Sequence, residues 1–537
     1  MLEVYDRVLP SRSIPTLVGL TILAAVLFAF LAALDLIRAR LLVRIGASLD
    51  ESLSGRVYDA IVRLPLKIGN RTDGVQPLRD LDTIRSFLSG LGPTALFDLP
   101  WMPIYLAICF GFHVLIGLAA LAGALILIAL TLLTEHLTSD PLRAATVAAA
   151  VRNNLAEKSK RNAEVLAAMG MAGALSREWR QANFEYMSHQ RRASDVAGAL
   201  GAFSKSFRFM LQSAVLGLGG YLVVKQEATA GVIIAASILT ARALAPIDLA
   251  IANWRGFVGA RQSWERLTKL LELLPAPTDP MQLPAPSKSH MVEGASATPP
   301  GEQRLVIQDI SFTLKSGHGL GVIGPSASGK SSLARMLVGV WQPVRGKVCL
   351  DQASLDQWGP EALGKHIGYL PQDVELLAGT VAQNIARFEA DADPKDVIAA
   401  AQAAGVHDLI VGLRGGYETQ VGDQGSALSA GQQQRIALAR ALYHDPFLVV
   451  LDEPNSNLDA EGEGALSTAI LGVRSRGGIV VVVAHRPSAL AGVDLMLVMG
   501  QGRQQVFGAK DEVMRKFQRR DPAAPLKVVS EGAGPAS

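Results

Sequence analysis

Charge is scarce in this sequence. Asp, Glu, Lys and Arg make up 18% of its 537 residues, hydrophobic residues make up 49%, and mean hydropathy is positive. In a chain long enough for several folded units, that balance points to segments whose solvent is lipid. The net charge of +3 is too small for a nucleic-acid surface, so no nucleic-acid partner is expected. Cysteine is scarcer still. Cys109 lies in an apolar run and Cys349 in a polar half, which excludes a disulfide framework or a cysteine metal site and predicts two buried, unpaired thiols. No cleavable signal peptide is visible either, because Met1–Ser13 carries Glu3, Asp6, Arg7 and Arg12 and has no short apolar core.

Long apolar runs, by contrast, are plentiful in the first half. Ile14–Ile37 is free of charge until Asp35 and is long enough to cross about 30 Å of hydrocarbon as a helix. Thr94–Thr134 is roughly twice one span, and the Phe112-His113 break before Gly117 makes it a tight pair of helices. Phe207–Val224 and Gly231–Trp254 form a second pair around Lys225-Gln226-Glu227, which gives five spans. Between the spans lie polar insertions at 38–92 and 135–205. Arg38, Arg40, Arg44, Arg152, Lys158 and Lys160 near their ends argue that both are cytoplasmic. With the insertions and the C-terminal half inside, an odd number of spans leaves the N-terminus outside. The expectation is therefore that a further span precedes Met1.

The chain divides by composition into a membrane domain at 1–273, a Pro/Ser/Ala-rich linker at 274–303, an α/β domain at 304–519 and a disordered tail at 520–537. In the α/β part, short β-branched runs alternate with amphipathic helical stretches, as in a parallel sheet covered by helices.

That domain carries the chemistry. The apolar run Leu320–Ile323 leads into Gly324, Pro325, Ser326, Ala327, Ser328, Gly329, Lys330, Ser331 and Ser332, and a helical stretch follows. This is the GxxxxGK[ST] phosphate loop in its strand-to-helix setting. Its glycines let backbone N–H groups turn inward, the helix start adds positive potential, Lys330 reaches the terminal phosphates and Ser331 ligates Mg²⁺. A second apolar run, Phe447–Leu451, ends in Asp452 and Glu453. Asp452 suits Mg²⁺, by way of a water, and Glu453 is placed to polarise the attacking water. Alone, an acidic pair after a strand could equally cap a helix; beside a phosphate loop it reads as catalytic.

Three further elements narrow the class. Leu428-Ser429-Ala430-Gly431-Gln432 opens a helix, Gln372 follows Tyr369-Leu370-Pro371, and His485 follows the apolar run Ile479–Ala484. Singly each is unremarkable, and a histidine there would more often be structural. In this order they resemble the ATP-binding-cassette family over about Arg304–Val513: phosphate loop, Q-loop, signature, acidic strand end, D-loop (Ser456–Asp459) and H-loop. The resemblance implies ATP and Mg²⁺ as ligands and a homodimer with two cassettes paired head to tail. Each ATP would lie between the phosphate loop of one and Ser429, Gly431 and Gln432 of the other. Glu453, His485 and Gln372 would be catalytic, Ser331, Gln372 and Asp452 would serve the metal, and Asp459 would contact the opposing subunit. Ala430 departs from the usual glycine, and the stretch before Ile307 has no aromatic residue to stack on adenine.

Spans ahead of a single cassette resemble the exporter architecture. The stretches VYDRVLPSRS (4–13), LVRIGASLDESLSGRVYDA (42–60), FDLPWMPIYL (97–106) and RALAPID (242–248) are similar to type I secretion exporters of the protease and lipase group. That resemblance implies an α-helical transmembrane exporter domain followed by an α/β cassette. It also implies an inner-membrane location, a periplasmic membrane-fusion adaptor, an outer-membrane channel, and an unfolded polypeptide cargo with a C-terminal signal. The alternative cargo is a lipid, polysaccharide precursor or small molecule. Arg242 and Asp248 are ionisable groups at or near membrane depth, read as lining the transport path, as an internal ion pair or as shallow, snorkelling positions; Lys205 and Arg208 read as interfacial anchors.

Overall fold

The computed structural model describes residues 2–69, 74–275, 283–484 and 486–520. The chain forms two compact units, Met1–Pro65 with Asn70–Ala276, and Leu66–Gly69 with Pro277–Ser537.

The first unit is helical. Its main elements are α1 (Ile14–Ile68), α2 (Gln76–Leu88), α3 (Gly92–Asp98), α4 (Met102–Phe112), α5 (Val114–Arg161), α6 (Ala172–Val224) and α7 (Ala230–Leu273). Among the described residues, five helical stretches are long and apolar enough to cross a membrane: α1, Gly92–Phe112, α5, α6 and α7. The polar insertions prove to be largely helical. The helices of the spans run on through Arg38–Ile68, Glu135–Arg161 and Ala172–Lys205 without a break. His113 makes the turn between α4 and α5. Its backbone is extended, and its Nδ1 accepts the Leu115 N–H at 3.1 Å, capping α5. Ile116, Ala120, Ala124 and Leu127 of α5 recur at helical spacing and meet Leu211 and Val215 of α6 and Ala243, Leu244 and Ile247 of α7. Gly123 lets α5 approach Leu211 where any Cβ would collide.

The second unit holds two sheets. The strands are β1 (Ser289–Ala297), β2 (Ile307–Lys315), β3 (Gly319–Ile323), β4 (Arg345–Leu350), β5 (Ala353–Ser354), β6 (Ile367–Leu370), β7 (Leu448–Asp452), β8 (Ile479–Val483), β9 (Leu495–Gly500) and β10 (Arg503–Ala509). A four-stranded antiparallel sheet runs β2-β1-β4-β5, and a six-stranded sheet runs β10-β9-β3-β8-β7-β6, parallel except for β10. Every residue of β7 and β8 is buried, as their unbroken apolar runs require for a strand covered on both faces.

The linker expected over 274–303 is corrected by β1, which occupies Ser289–Ala297 and hydrogen-bonds to both β2 and β4. Its signal is weak in sequence because small residues fill its core positions. Ala295 and Ala297 are buried, and register shifts after Val292 interrupt the alternation that would mark a strand. Residues 276–282 of that linker and the tail from 521 onward lie outside the described residues. Cys109 and Cys349 are both buried and unpaired.

Candidate functional site

The phosphate loop leaves β3 at Gly324 (φ 157°) and enters helix α8 (Lys330–Leu337) through Gly329 (φ 95°). A Cβ at Gly324 would meet the Met499 carbonyl, so only glycine fits this turn. Ala327 also adopts a left-handed conformation (φ 61°), a strain of roughly 1 kcal/mol for a residue with a Cβ. The Lys330 ammonium curls back into the loop, donating to the carbonyls of Gly324 at 3.0 Å and Pro325 at 2.9 Å. Burial lowers its pKa from the usual lysine range, and the nearby Glu453 and Asp452 carboxylates oppose that shift. Ser328 is buried with its hydroxyl unpartnered inside the loop, while Pro325, Ser326 and Ser332 remain accessible.

Two loops converge beside α8. Ser331 at its first turn donates its hydroxyl to Gln372 Oε1 at 3.5 Å, and Gln372 Nε2 donates to Glu453 Oε2 at 3.2 Å. Asp452, the last residue of β7, is buried, and neither carboxylate oxygen meets a donor in good geometry. Burial raises its pKa above the ordinary carboxylate range, with the neighbouring Ser331 hydroxyl pulling the other way. An orphaned buried carboxylate beside a serine hydroxyl and a glutamine carbonyl is an all-oxygen set that suits a hard divalent cation. Glu453 sits in a left-handed conformation (φ 51°), its N–H held by the Val483 carbonyl at 2.8 Å. His485 lies outside the described residues.

The signature opens helix α9 (Ala430–Leu442). Ser429 and Gln432 form a reciprocal capping box, with Gln432 N–H to Ser429 Oγ at 3.3 Å and Ser429 N–H to Gln432 Oε1 at 2.9 Å. Gly431 packs its backbone on the Asn457 carbonyl, where a Cβ would come within 2.9 Å. Among the described residues, no hydrogen bond or ion pair joins Ser429–Gln432 to the phosphate loop of the same chain. Asp459 caps helix α10 (Ala460–Ser475) through the Gly462 N–H at 2.8 Å and also pairs with Arg435, and both hold its carboxyl below the usual range.

Sequence reasoning gave Gln434 no role and gave Arg208 a different one. Gln434 is buried and bonds to the Glu453 carbonyl, to Ser456 and to Asn457; the one signal for it was its place two residues after the signature. Arg208, expected as an interfacial anchor, instead pairs with Asp248 at 3.0 Å, joining α6 to α7. Asp248 is therefore not brought to Arg242. Arg242 is exposed and has no ion-pair partner among the described residues.

Family profiles match both units. One described as the ABC transporter transmembrane region covers residues 3–245, and one described as ABC transporter covers 307–456. The type I secretion system ATP-binding protein PrsD of Rhizobium meliloti (strain 1021) is 60% identical over 535 residues, 99% of this chain and 92% of that protein. The exotoxin translocation ATP-binding protein PaxB of Pasteurella aerogenes is 29% identical, covering 95% of this chain and 72% of that one. The cyclolysin secretion/processing ATP-binding protein CyaB of Bordetella pertussis (strain Tohama I) is also 29% identical, with the same coverage. A solved structure of a bacterial Atm1-family ABC exporter with ATP bound superposes with a TM-score of 0.82, covering 97% of this chain and 95% of that chain. At 22% identity it shows a shared fold.

Proposed function

Because this chain belongs to the ABC transporter family, among the type I secretion ATP-binding proteins, we propose that it exports an unfolded polypeptide bearing a C-terminal secretion signal. The chain is a multi-pass membrane protein with a cytoplasmic cassette, and the cassette is an ABC-type ATPase. The observation that carries the cargo class is 60% identity to a type I secretion ATP-binding protein along 99% of the chain. On this proposal it works in an inner membrane with a periplasmic adaptor and an outer-membrane channel.

The chain's own residues set out the chemistry. The turned-in loop from Gly324 to Gly329 holds the phosphates by backbone N–H groups, and Lys330 leaves its two carbonyls to meet the terminal phosphates. Ser331, Gln372 and Asp452 would hold Mg²⁺, which when bound neutralises charge on the phosphate oxygens. Glu453 takes the role of general base, oriented by Gln372, and His485 is assigned to the γ-phosphate by its place in the family's motif order alone. Among the described residues the signature makes no hydrogen bond or ion pair with its own phosphate loop, which supports a homodimer in which a second copy supplies Ser429, Gly431 and Gln432. Asp459 stays the cap of its own α10 and reaches the opposing subunit from there. Arg242, exposed on α7 and without an ion-pair partner among the described residues, lines the transport path, whereas Asp248 serves Arg208.

The test is ATP hydrolysis by the protein in lipid vesicles, with and without C-terminal peptides of candidate secreted proteins. Glu453→Gln should lower turnover by about 10³-fold while ATP still binds. At least one peptide should change the wild-type rate, and Arg242→Ala should weaken that response without touching basal turnover. A Glu453-dependent rate that responds to lipid or small molecules and to no peptide would refute the polypeptide cargo.

A further inference from the structure

Gln434 is one of the few fully buried side-chain amides in the cassette, and it lies between two elements that the chemistry treats as separate. It projects from the second turn of α9, the helix whose first residues carry the signature. Its Nε2 donates to the Glu453 carbonyl at 3.3 Å and to Ser456 Oγ at 3.3 Å, and its Oε1 accepts the Asn457 N–H at 3.0 Å. Both amide hydrogens and the carbonyl are therefore used on the segment that follows β7.

The residue held there is strained. Glu453 is a non-glycine in the left-handed region, and such a conformation persists only where its surroundings over-determine it. Its N–H is fixed to β8 through Val483, and its carbonyl is fixed to α9 through Gln434. A shift of α9 must therefore act on the peptide unit that aims the Glu453 carboxylate. Two further contacts make the link stiff: Gly431 packs directly on the Asn457 carbonyl, and Arg435 pairs with Asp459.

We propose that Gln434 is a positioning residue that ties the signature helix to the general base of the same chain. The proposal rests on the head-to-tail pairing of two cassettes. In such a pair, α9 touches the ATP of one pocket while Glu453 serves the other. The Gln434 amide is then the bond through which occupancy of one pocket sets the pose of the base in its neighbour.

The experiment measures the ATP dependence of hydrolysis by the full chain in lipid vesicles, for wild type, Gln434→Met and Gln434→Glu. Methionine keeps the volume and loses all three bonds. Glutamate keeps an acceptor for Asn457 and loses both donors. Wild type should be sigmoidal in ATP. Both variants should lose turnover by about tenfold, keep KM for ATP within about twofold and become hyperbolic, because the phosphate loop is untouched. Their unfolding temperatures should stay within a few degrees of wild type. Hyperbolic wild-type kinetics would overturn the coupling, and wild-type turnover in Gln434→Glu would overturn the positioning. A fall in turnover matched by a higher KM and a lower unfolding temperature would reduce Gln434 to a packing residue. Wild-type hydrolysis no faster than that of Glu453→Gln would instead reject the ATPase assignment beneath the proposal.

Discussion

The membrane unit and the cassette treat their apolar residues in opposite ways. In α1 the apolar window has none of its residues buried within the chain, and Ile22, Leu27, Phe28 and Phe30 all stand exposed. In β7 and β8 every residue is buried. The first pattern is stable only where lipid replaces water, and the second only where helices cover both faces of a sheet. The two units therefore fail differently. The cassette depends on keeping polar groups out of a dry core, whereas the membrane unit depends on pairing the few charges it carries at depth. Predictions drawn from each can break or sharpen that contrast.

The largest effect belongs to the cassette core. His290 is fully buried in β1, and burial pushes its imidazole down to about 4, opposed only in part by the Cys349 backbone. The folded state thus holds a neutral ring, whereas the unfolded chain takes up a proton near the ordinary histidine value of about 6.5. Stability tied to this residue is whole above that value and drains away as pH falls toward 4, by about 3 kcal/mol when fully lost. Unfolding of the cassette followed by tryptophan fluorescence should show a midpoint that drops between neutral and acid pH. The drop should shrink clearly in His290→Leu, and an equal drop in both proteins would show that other groups set the acid limit.

His290 also marks where sequence reasoning stopped. The phosphate loop, the Asp452-Glu453 pair and the signature were legible because their spacing is dictated by a phosphate chain and a metal, and local spacing is what a sequence displays. Strand β1 was hidden because its core is alanine and its register shifts, so composition suggested a linker. Gln434 was hidden because its partners lie some twenty residues on, across a strand and a turn. In the membrane unit, hydropathy set where the helices cross and said nothing of which helix meets which. The Arg208–Asp248 pair joins residues on separate helices and follows from packing alone.

That pair gives the intermediate prediction. Arg208 and Asp248 are each about three-quarters buried. Asp248→Ala leaves a guanidinium without its partner, an expected loss of about 2 kcal/mol seen as a lower unfolding temperature in detergent. Arg208→Met combined with Asp248→Leu should recover most of it, because the burden is the unpaired charge. The cassette offers a control. Lys347 and Glu293 pair at 3.2 Å on an exposed sheet surface, and Glu293→Ala should change stability by no measurable amount. If the two single substitutions weigh the same, the contrast between the units is wrong at this point.

The smallest effects separate two neighbours in the signature. Gly431 has the Asn457 carbonyl where its Cβ would be, so Gly431→Ala must move either α9 or the loop after Glu453. Overpacking of that kind costs about 1 kcal/mol and should lower turnover by several-fold. Ala430 is exposed at the first position of α9, where the usual glycine would add backbone freedom and remove no contact. Ala430→Gly should leave hydrolysis within about twofold of wild type. A larger fall would mean that the Ala430 methyl is itself packed when two cassettes pair. The departure from the usual glycine would then be a fitted feature of this chain's dimer rather than a tolerated one.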